Sequence, residues 1–533
     1  MVEKTIIKHL HIDILGITLY NIQGSSFYLK RQFFGVKNLH WRLIVMYRLN
    51  QSKIPLLEAM KAYAKRDVAS FDVPGHKRGV GVPILADYFG SKLMELDTNS
   101  LPRLDHAGNP TSVIKEAQDL LADAYGADEA FFITNGSTAA IQTMLMSVIS
   151  PGEKILLPKN SHKSALNGLI LCGGIPVYMK PEICAKEGLA KNVTLTEVRH
   201  QLNLHPDAKA VFLINPTYFG YVTELGAIAE LCHKRQVLLL VDEAHGAHFP
   251  FHPEMPPSAM ACGADMSAIS VHKTGGALTQ ASALVVKGRR VALERVKQVV
   301  NILQSTSASY LLMGSLDGAR YNLVKNGEAQ LSKVLTLGMK ARKELNLIPG
   351  ISTVEEERGY DFTKLVMNVS GLSLTGFQVY ELLWRDYDIQ LELCETHHLL
   401  AILSLGDSKQ SVEKLIAAMK EIAMKYVRVG SEIVSEIELL SQEIRVIMSP
   451  REAYFSEKQL VPFDKAIGKI SGESIMAYPP GIPIISPGEL ITKEVIASLV
   501  SLKEKNACMV DNTDAEFKQI LIVNPPERSS GNV

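Results

Sequence analysis

Short apolar runs alternate with helical segments over much of the first half of the chain, and this alternation constrains the fold most strongly. The runs that we predict as strands span residues 130–133, 154–157, 175–179, 210–214, 237–241, 266–271 and 282–286. Two of the predicted helices are an amphipathic one over residues 110–126 and a nearly all-apolar one over residues 139–149. This pattern predicts an α/β fold, a mostly parallel sheet with helices on both faces. Ligands of such folds bind at the carboxyl ends of the strands.

The length of the chain, 533 residues, predicts two or three domains rather than one core. Residues 1–48 are an N-terminal extension without a clear helical or strand period, and no function is assigned to them. Residues 49–349 form the predicted large domain, and residues 350–533 a smaller α+β C-terminal domain. Its predicted strands span residues 365–369, 389–393 and 401–405, and its predicted helices residues 375–384 and 411–425.

The charge balance and the cysteines exclude several classes of protein. Lys+Arg and Asp+Glu both number 56, so no net field attracts nucleic acid or an acidic membrane. The six cysteines lack paired metal-binding spacing, so we predict no metal site and expect reduced thiols. The charge-free stretch 164–179 is broken by glycines and a proline and is shorter than the ~20 residues of a membrane span. We therefore expect a cytoplasmic protein that binds neither nucleic acid nor membrane.

An acid and a lysine follow two of the predicted strands. Asp242 comes directly after the run 237–241, and Lys273 follows the run 266–271, with two glycines behind it. At ~4 Å and an effective dielectric of ~20, a carboxylate stabilises a cation by about 4 kcal/mol, enough to keep a pyridine nitrogen protonated. An enclosed lysine has a lowered pKa and bonds more readily to an aldehyde. Pyridoxal phosphate enzymes need both groups, although each alone could be a loop cap or a surface lysine.

A candidate phosphate-binding turn separates the first predicted strand from the all-apolar helix. Its residues Gly136, Ser137 and Thr138 offer backbone N–H groups and hydroxyls at a helix N-terminus. In isolation such a sequence would more often be a helix cap. Its coincidence with the acid and the lysine favours phosphate binding.

Four other residues follow the same predicted strands. His162 could stack flat on a pyridine ring, although an isolated histidine is more often a cap or part of a core. His245, shortly after the acid, could contact the same ligand. Ser270 and His272, beside the lysine, could donate hydrogen bonds to a phosphate.

Motifs spread over most of the chain resemble those of the fold type I ornithine/lysine/arginine decarboxylases. They are Val73-Pro74-Gly75-His76-Lys77, Ser161-His162-Lys163, Asn215-Pro216-Thr217-Tyr218-Phe219-Gly220, Asp242-Glu243-Ala244-His245-Gly246, Ser270-Val271-His272-Lys273, and Tyr478-Pro479-Pro480-Gly481-Ile482-Pro483 followed by Pro487-Gly488-Glu489. The resemblance runs from about residue 50 to about residue 505 and is greatest to the short bacterial arginine decarboxylase branch. It implies an aspartate-aminotransferase-like fold.

The resemblance also implies roles for the candidate residues. Lys273 would carry pyridoxal 5'-phosphate, Asp242 would pair with its pyridinium nitrogen, and His162 would stack on its ring. The phosphate would be bound by Ser137, Thr138 and His272. The Gly-Ser-Thr order of the turn departs from the more common Gly-Thr-Ser, but both orders supply hydroxyls.

A homodimer or a higher homo-oligomer with its active site at the subunit interface is a further implication of the resemblance. Residues 305–310 match a segment that reaches the neighbour's cofactor, with Ala308 in place of the usual proline.

We expect decarboxylation of a basic amino acid that feeds polyamine synthesis: arginine to agmatine and carbon dioxide first, lysine second and ornithine third. The distal cation needs a carboxylate, for which Glu473 is the first candidate and Asp361 the second.

Two alternatives stay open at this point. An aminotransferase or carbon–carbon lyase of the same fold would clamp the substrate carboxylate with an arginine, and Arg358, Arg385 and Arg445 are available. A non-catalytic regulator could retain the fold, but it would not need the lysine, the aspartate and the phosphate turn together.

Overall fold

The computed structural model describes residues 47–184, 186–354, 359–428, 445–477, 481–504 and 508–524, together with the backbone of three short strands that precede them. These strands pair antiparallel in chain order: β1 (His11–Ile12), β2 (Ile17–Asn21) and β3 (Phe27–Arg31).

Helices lead into a seven-stranded sheet and then alternate with its strands. The leading helices are α1 (Pro55–Ala64), α2 (Pro83–Phe89), α3 (Ser91–Leu96) and α4 (Val113–Tyr125). The sheet region continues as β4 (Glu129–Ile133), α5 (Gly136–Val148), β5 (Lys154–Pro158), α6 (Lys163–Cys172), β6 (Ile175–Met179), α7 (Leu195–Leu204), β7 (Ala210–Ile214), α8 (Leu225–Lys234), β8 (Leu238–Asp242), β9 (Met266–Ile269), α9 (Val271–Thr274) and β10 (Ser282–Val286). A short 3-10 helix, Phe249–Phe251, follows β8.

The sheet has the strand order β4-β10-β9-β8-β7-β5-β6. Strands β5 to β9 pair in parallel, whereas β10 runs antiparallel to both of its neighbours. The predicted mostly parallel sheet is therefore confirmed.

Two apolar cores cover the two faces of this sheet. Along β8, Leu239 and Val241 belong to one core and Leu240 to the other, because successive side chains of a strand point to opposite faces. A strand buried on both faces must be apolar at nearly every position, which is why the strands are continuous apolar runs in the sequence.

A long helix joins the sheet region to a second core. Helices α10 (Leu293–Leu303) and α11 (Tyr310–Leu345) come first, followed by β11 (Ser352–Thr353), β12 (Lys364–Asn368), α12 (Gly376–Tyr387), β13 (Leu393–Cys394), β14 (His398–Ile402) and α13 (Lys409–Tyr426). The strands form an antiparallel sheet in the order β11-β12-β14-β13. Leu335 of α11 lies in the core of the large sheet and Leu337 in the core of the small one, so a single helix braces both.

The last part of the chain forms two small antiparallel sheets around a core of its own. Its elements are α14 (Pro450–Phe455), β15 (Lys458–Pro462), α15 (Phe463–Ala466), β16 (Ile475–Ala477), β17 (Ile482–Ile485), α16 (Lys493–Glu504), β18 (Met509–Val510) and β19 (Gln519–Val523). Strand β15 pairs with β19, and β16 lies between β17 and β18.

The structure differs from the predicted elements in two places. The strand predicted over residues 266–271 ends at Ile269, and a one-turn helix follows it. In the small sheet, the strands predicted over 389–393 and 401–405 are replaced by β13 and β14, because the register pairs Leu393 with Leu400 across a tight hairpin. Local apolar runs did not reveal this pairing.

No helix in the part of the chain that the structure describes is both long and apolar enough to cross a membrane.

A fully buried ion pair fastens residues 51–57 to α11. Arg320 Nη2 lies 2.6 Å from Asp317 Oδ1, and the same guanidinium donates to the carbonyls of Gln51 and Lys53 at 2.8 and 2.6 Å. The other Asp317 oxygen accepts from the backbone N–H of Leu56 at 3.0 Å.

Replacing Asp317→Asn should lower the free energy of unfolding by about 3–5 kcal/mol, because it leaves the buried Arg320 charge unpaired. Denaturant titration followed by tryptophan fluorescence or circular dichroism measures this loss. Glu116→Gln is the matched control, since it breaks an exposed pair with Lys53 and should leave the midpoint unchanged within error. Equal midpoints for all three proteins would contradict the assigned role of the pair.

Candidate active site

A cleft opens at the carboxyl ends of the parallel strands. Five residues predicted from the sequence line it: Ser137, His162, Asp242, His245 and Lys273. They come from the start of α5, the start of α6, the end of β8 and the short helix α9, all of which reach the same edge of the sheet. The topology thus brings together residues that are far apart in the sequence.

Asp242 is the last residue of β8, where the register places it beside Ile214 of β7 and Ala268 of β9. Its side chain is buried, and Oδ1 accepts a hydrogen bond from the backbone N–H of Ala244 at 3.0 Å. Burial raises the pKa of Asp242, and the Ala244 N–H and the charge of Lys273 oppose that rise. A carboxylate held in this way would bind a cationic group that enters the cleft.

Lys273 lies on α9 and not on a strand, and its amine turns toward His245, with 2.9 Å between Nζ and Nε2. Burial lowers the pKa of Lys273, and Asp242 and Glu392 partly oppose this shift. The lysine therefore has a larger neutral fraction at a given pH than an exposed lysine, and the neutral amine is the form that attacks a carbonyl carbon.

His245 and Tyr218 form the wall beside this amine. Their rings lie 4.4 Å apart between centroids, and Lys273 Nζ lies 5.4 Å from the centroid of the Tyr218 ring. Burial lowers the pKa of His245 well below its ordinary value, and the charge of Lys273 adds to this effect. A neutral imidazole can accept a proton or a hydrogen bond from Lys273.

His162 is the N-cap residue of α6. Its Nδ1 accepts from the backbone N–H of Ser164 at 3.2 Å, which fixes the ring at the edge of the cleft. Burial, followed by the charges of Lys273 and Lys163, lowers the pKa of His162 to about 4. The ring is therefore neutral at physiological pH and can lie against an aromatic ligand.

The start of α5 and the residues beside Lys273 could hold an anion. Gly136 has φ +75°, and no heavy atom lies within 4 Å of the position that a Cβ would occupy there. The first N–H groups of a helix have no partner within the helix, so α5 presents donors beside Ser137. Ser270 Oγ is buried and has no hydrogen-bond partner among the described residues. The donors at the start of α5 fit a phosphate, and Ser270, whose carbonyl accepts from the Lys273 N–H, offers a further hydroxyl, although Gly136 and Ser270 do not line the cleft.

Two of the predicted phosphate ligands lie at the margin of this cradle. Thr138 is exposed at the start of α5, and His272 Nδ1 donates to the carbonyl of Ala281 at 3.2 Å. Neither is among the residues that line the cleft.

Comparisons with known proteins identify the family of the chain. Residues 54–366 match the family described as Orn/Lys/Arg decarboxylase, major domain, and residues 435–509 match the C-terminal domain of that family. An arginine decarboxylase of Halalkalibacterium halodurans is 41% identical over 465 residues, covering 86% of this chain and 94% of the relative. An arginine decarboxylase of Bacillus subtilis is 40% identical, covering 84% of this chain and 93% of the relative.

The chain belongs to the Orn/Lys/Arg decarboxylase family. This confirms the family and the decarboxylase class predicted from the motifs. Solved structures agree on the fold: the Francisella novicida lysine decarboxylase LdcF superposes with a TM-score of 0.78 at 20% identity, over 88% of this chain and 81% of that one. The Escherichia coli constitutive lysine decarboxylase gives 0.77 at 19% identity, over 89% and 82%.

Glu473, the first candidate for the distal cation of a substrate of this decarboxylase family, lies outside the cleft of its own subunit. Its carboxylate accepts hydrogen bonds of 2.7 Å from the backbone N–H and the hydroxyl of Thr513, and of 2.7 Å from the backbone N–H of Leu521. These hydrogen bonds connect Glu473 to β19 and to the loop before it, so the carboxylate already has donors within the C-terminal domain.

Asp361, the second candidate, is fully buried in another polar cluster. Oδ1 lies 3.2 Å from His248 Nε2 and 2.7 Å from the hydroxyl of Thr363, and Oδ2 lies 3.3 Å from Lys364 Nζ. Burial alone would raise the pKa of Asp361, but Lys364, His248 and Thr363 together lower it. It does not line the cleft.

The three arginines that an aminotransferase could have used are placed elsewhere or not described. Arg385 is exposed and pairs with Asp386 at 2.7 Å. Arg445 begins the C-terminal part, where its carbonyl accepts from Leu490. Arg358 lies outside the described residues, as do Tyr478 to Pro480 of the C-terminal signature.

The segment 305–310, which in this decarboxylase family was expected to reach a neighbouring subunit, is anchored at one end. Ala308 and Tyr310 are buried, and the Tyr310 hydroxyl donates to the carbonyl of Asp105 at 2.8 Å. Residues 305–307 are exposed, as a segment that contacts another chain would be in a single subunit.

Two residues that act on the site were assigned no role from the sequence, Tyr218 in the lining of the cleft and Glu392 through its charge. Tyr218 follows the end of β7 just as His245 follows β8, so the same strand-end rule could have identified it. Glu392 precedes β13 in the small sheet, and its charge acts on both Lys273 and His272. No local signal marks this glutamate, because only the packing of the small sheet brings it close to Lys273.

Replacing Asp242→Asn should lower the pKa of Lys273 further, because it removes a charge that stabilises the ammonium form. The pH dependence of Lys273 acetylation, followed by mass spectrometry of its peptide in protein without added ligand, measures the midpoint. Glu243→Gln is the control: the Glu243 carboxyl accepts from the Ala259 N–H and the Ser267 hydroxyl, and burial raises its pKa to about 8. A midpoint that Asp242→Asn leaves in place would show that the two groups do not interact.

Proposed function

We propose that this protein is a pyridoxal 5'-phosphate-dependent arginine decarboxylase that produces agmatine and carbon dioxide. The observation that carries the proposal is that a lysine with a lowered pKa and a buried carboxylate, Lys273 and Asp242, line one cleft. The choice of arginine is supported by relatives named arginine decarboxylase at 40–41% identity over most of both chains.

The cofactor would be held by the predicted residues in distinct ways. Lys273 Nζ would bind it covalently, and Asp242 would keep a proton on its pyridine nitrogen. The His162 ring would lie against the pyridine ring. Ser137, the N–H groups at the start of α5 and the Ser270 hydroxyl would take the phosphate, with Thr138 and His272 at the margin. When bound, the cofactor supplies a ring that accepts the electrons left behind as carbon dioxide departs.

The remaining chemistry would rest on side chains of this chain. Ile141, Ile214 and Pro216 line the cleft and exclude water from the carboxylate that is lost. Lys273, once its amine is released, is positioned to return a proton to the α-carbon. His245 Nε2, 2.9 Å from that amine, would accept the lysine's hydrogen and keep Nζ oriented toward the cleft.

The distal guanidinium of arginine would bind a carboxylate. Glu392 is exposed and its charge raises the pKa of Lys273, so it is our candidate for this carboxylate among the described residues. Glu473 and Asp361 remain proposals for the same role, but each would have to give up hydrogen bonds that it already makes. A planar guanidinium favours bidentate pairing with such a carboxylate.

A second copy of the chain is the proposed partner. Residues 71–93 expose a cluster of large apolar side chains, among them Phe71 at 97%, Val80 at 81% and Tyr88 at 82%. Monomeric proteins rarely leave such contiguous apolar surfaces uncovered. We assign this surface, together with residues 305–307, to a homodimer interface. The six free thiols support a cytoplasmic location.

Incubation of the purified protein with pyridoxal phosphate and, separately, arginine, lysine and ornithine should release carbon dioxide and amine fastest from arginine. Asp242→Ala should lower the rate about 10³-fold, the equivalent of a lost interaction of about 4 kcal/mol. Lys273→Ala should abolish turnover, and Glu243→Gln should retain it. Formation of a keto acid without gas release would indicate an aminotransferase and overturn the proposal.

Introducing charge into the exposed apolar surface, Phe71→Asp with Tyr88→Asp, should convert a dimer into monomers and reduce arginine turnover. Light scattering after size-exclusion chromatography measures the mass. Leu347→Asp, at a residue that is 77% exposed on a different surface, serves as the control and should leave the mass unchanged. A fully active monomeric parent protein would refute the interface.

A further inference from the structure

Residues 159–162, between β5 and α6, include His162. Side chains of the C-terminal part of the chain bind this segment. Lys159, at its start, lies with Nζ 2.7 Å from both carboxylate oxygens of Glu489. The two side chains are only 7% and 5% exposed, so water does not share their charges. Glu489 is the last residue of the C-terminal signature, 330 residues along the chain from Lys159.

Other groups complete the surroundings of this ion pair. The backbone N–H of Ser486 donates to Glu489 Oε2 at 3.1 Å, and Lys159 Nζ lies 4.8 Å from the centroid of the Tyr178 ring. Burial, followed by the charge of Glu489, raises the pKa of Tyr178, which keeps the phenol protonated beside the carboxylate. Loss of either charge would leave the other one buried and uncompensated.

A second contact lies directly after His162. The backbone N–H of Lys163 donates to the carbonyl of Gly481 at 3.1 Å, and Lys163 Nζ pairs with Asp511 at 3.1 Å. His162 is thus flanked on both sides by residues that are bound to the C-terminal part.

The far end of α6 is held by the same part of the chain. Arg451, on α14, donates through Nη1 to the carbonyls of Ile170 and Leu171 at 3.1 and 2.8 Å. These carbonyls belong to the last turn of α6, which has no intrahelical donors for them. Contacts at both ends therefore fix the position of α6, and with it the position of its N-cap residue.

We propose that Lys159 and Glu489 are positioning residues, a buried ion pair through which the C-terminal domain sets the His162 ring against the cleft. This inference rests on the proposed function in one respect, that His162 faces the cofactor. Burial and the charges of Lys273 and Lys163 keep the ring neutral, and the contacts on both sides of His162 hold it in that environment. Loss of the Lys159–Glu489 ion pair should let residues 159–162 move away from the cleft and let water reach the His162 ring.

The test measures the ring directly, in full-length protein without cofactor. Histidine labelled with ¹³C at Cε1 gives one signal per ring, and His162→Asn identifies the signal of His162. The pKa of His162, lowered to about 4 in the parent, should rise by at least about one unit in Glu489→Gln, because hydration restores the charged form. A His162 pKa that stays in place in a folded Glu489→Gln protein overturns the proposal.

Two further variants keep the test decisive. Glu489→Asp retains the charge and should give a pKa between those of the parent and of Glu489→Gln, and it replaces the latter if that variant does not fold. Asp207→Asn removes an exposed pair with Lys154 at the opposite end of β5 and should not move the signal. A shift of equal size in Asp207→Asn would mean that the ring responds to any loss of charge and would overturn the specific role of Glu489.

Activity provides the second measurement. With pyridoxal phosphate and arginine, Glu489→Gln should lose up to about 10²-fold in turnover through misplacement of the ring, and Asp207→Asn should lose none. If the parent protein shows no turnover but the His162 pKa moves as expected, the proposed function fails and the positioning role stands. If the parent turns over and the His162 pKa does not move, only the positioning role fails.

Discussion

The burial of one amine and one carboxylate in the same cleft is the constraint on which the rest of the site depends. Burial raises the pKa of Asp242 and lowers the pKa of Lys273, and the charge of each residue opposes the shift of the other. Neither charge is fully compensated within the cleft. A ligand that brings a cationic ring nitrogen to the aspartate and an aldehyde to the lysine would satisfy both groups at once, as the proposed pyridoxal phosphate would.

The topology of the large sheet places Lys273 and Asp242 in one cleft. Parallel strands buried on both faces end at one edge, and the loops that follow β5, β7, β8 and β9 all open there. The small sheet adds Glu392 from one side, and the C-terminal part adds Glu489 from the other. The large sheet therefore provides the chemistry, whereas the later parts of the chain provide its electrostatic surroundings and hold the His162 segment in place.

Much of this could be predicted from the sequence. The strands over residues 175–179, 210–214 and 282–286 agree with the observed bounds. The last two are buried along their whole length, and such strands leave a continuous apolar run that turn residues interrupt. The same strand-end rule located Asp242 and His162. Contacts across long stretches of chain could not be predicted: the pair Lys159–Glu489 and the approach of Glu392 to Lys273 depend on how separate units dock. No sequence pattern shows that the Glu473 carboxylate accepts hydrogen bonds from Thr513 and Leu521.

The most direct test of the account is to locate the covalent attachment of the cofactor. The protein is incubated with pyridoxal phosphate, reduced with borohydride, digested and analysed by mass spectrometry. We expect a phosphopyridoxyl group on the peptide that contains Lys273, at about one per chain, and its absence in Lys273→Ala. A label on other lysines alone, or a label that persists in Lys273→Ala, would contradict the central claim.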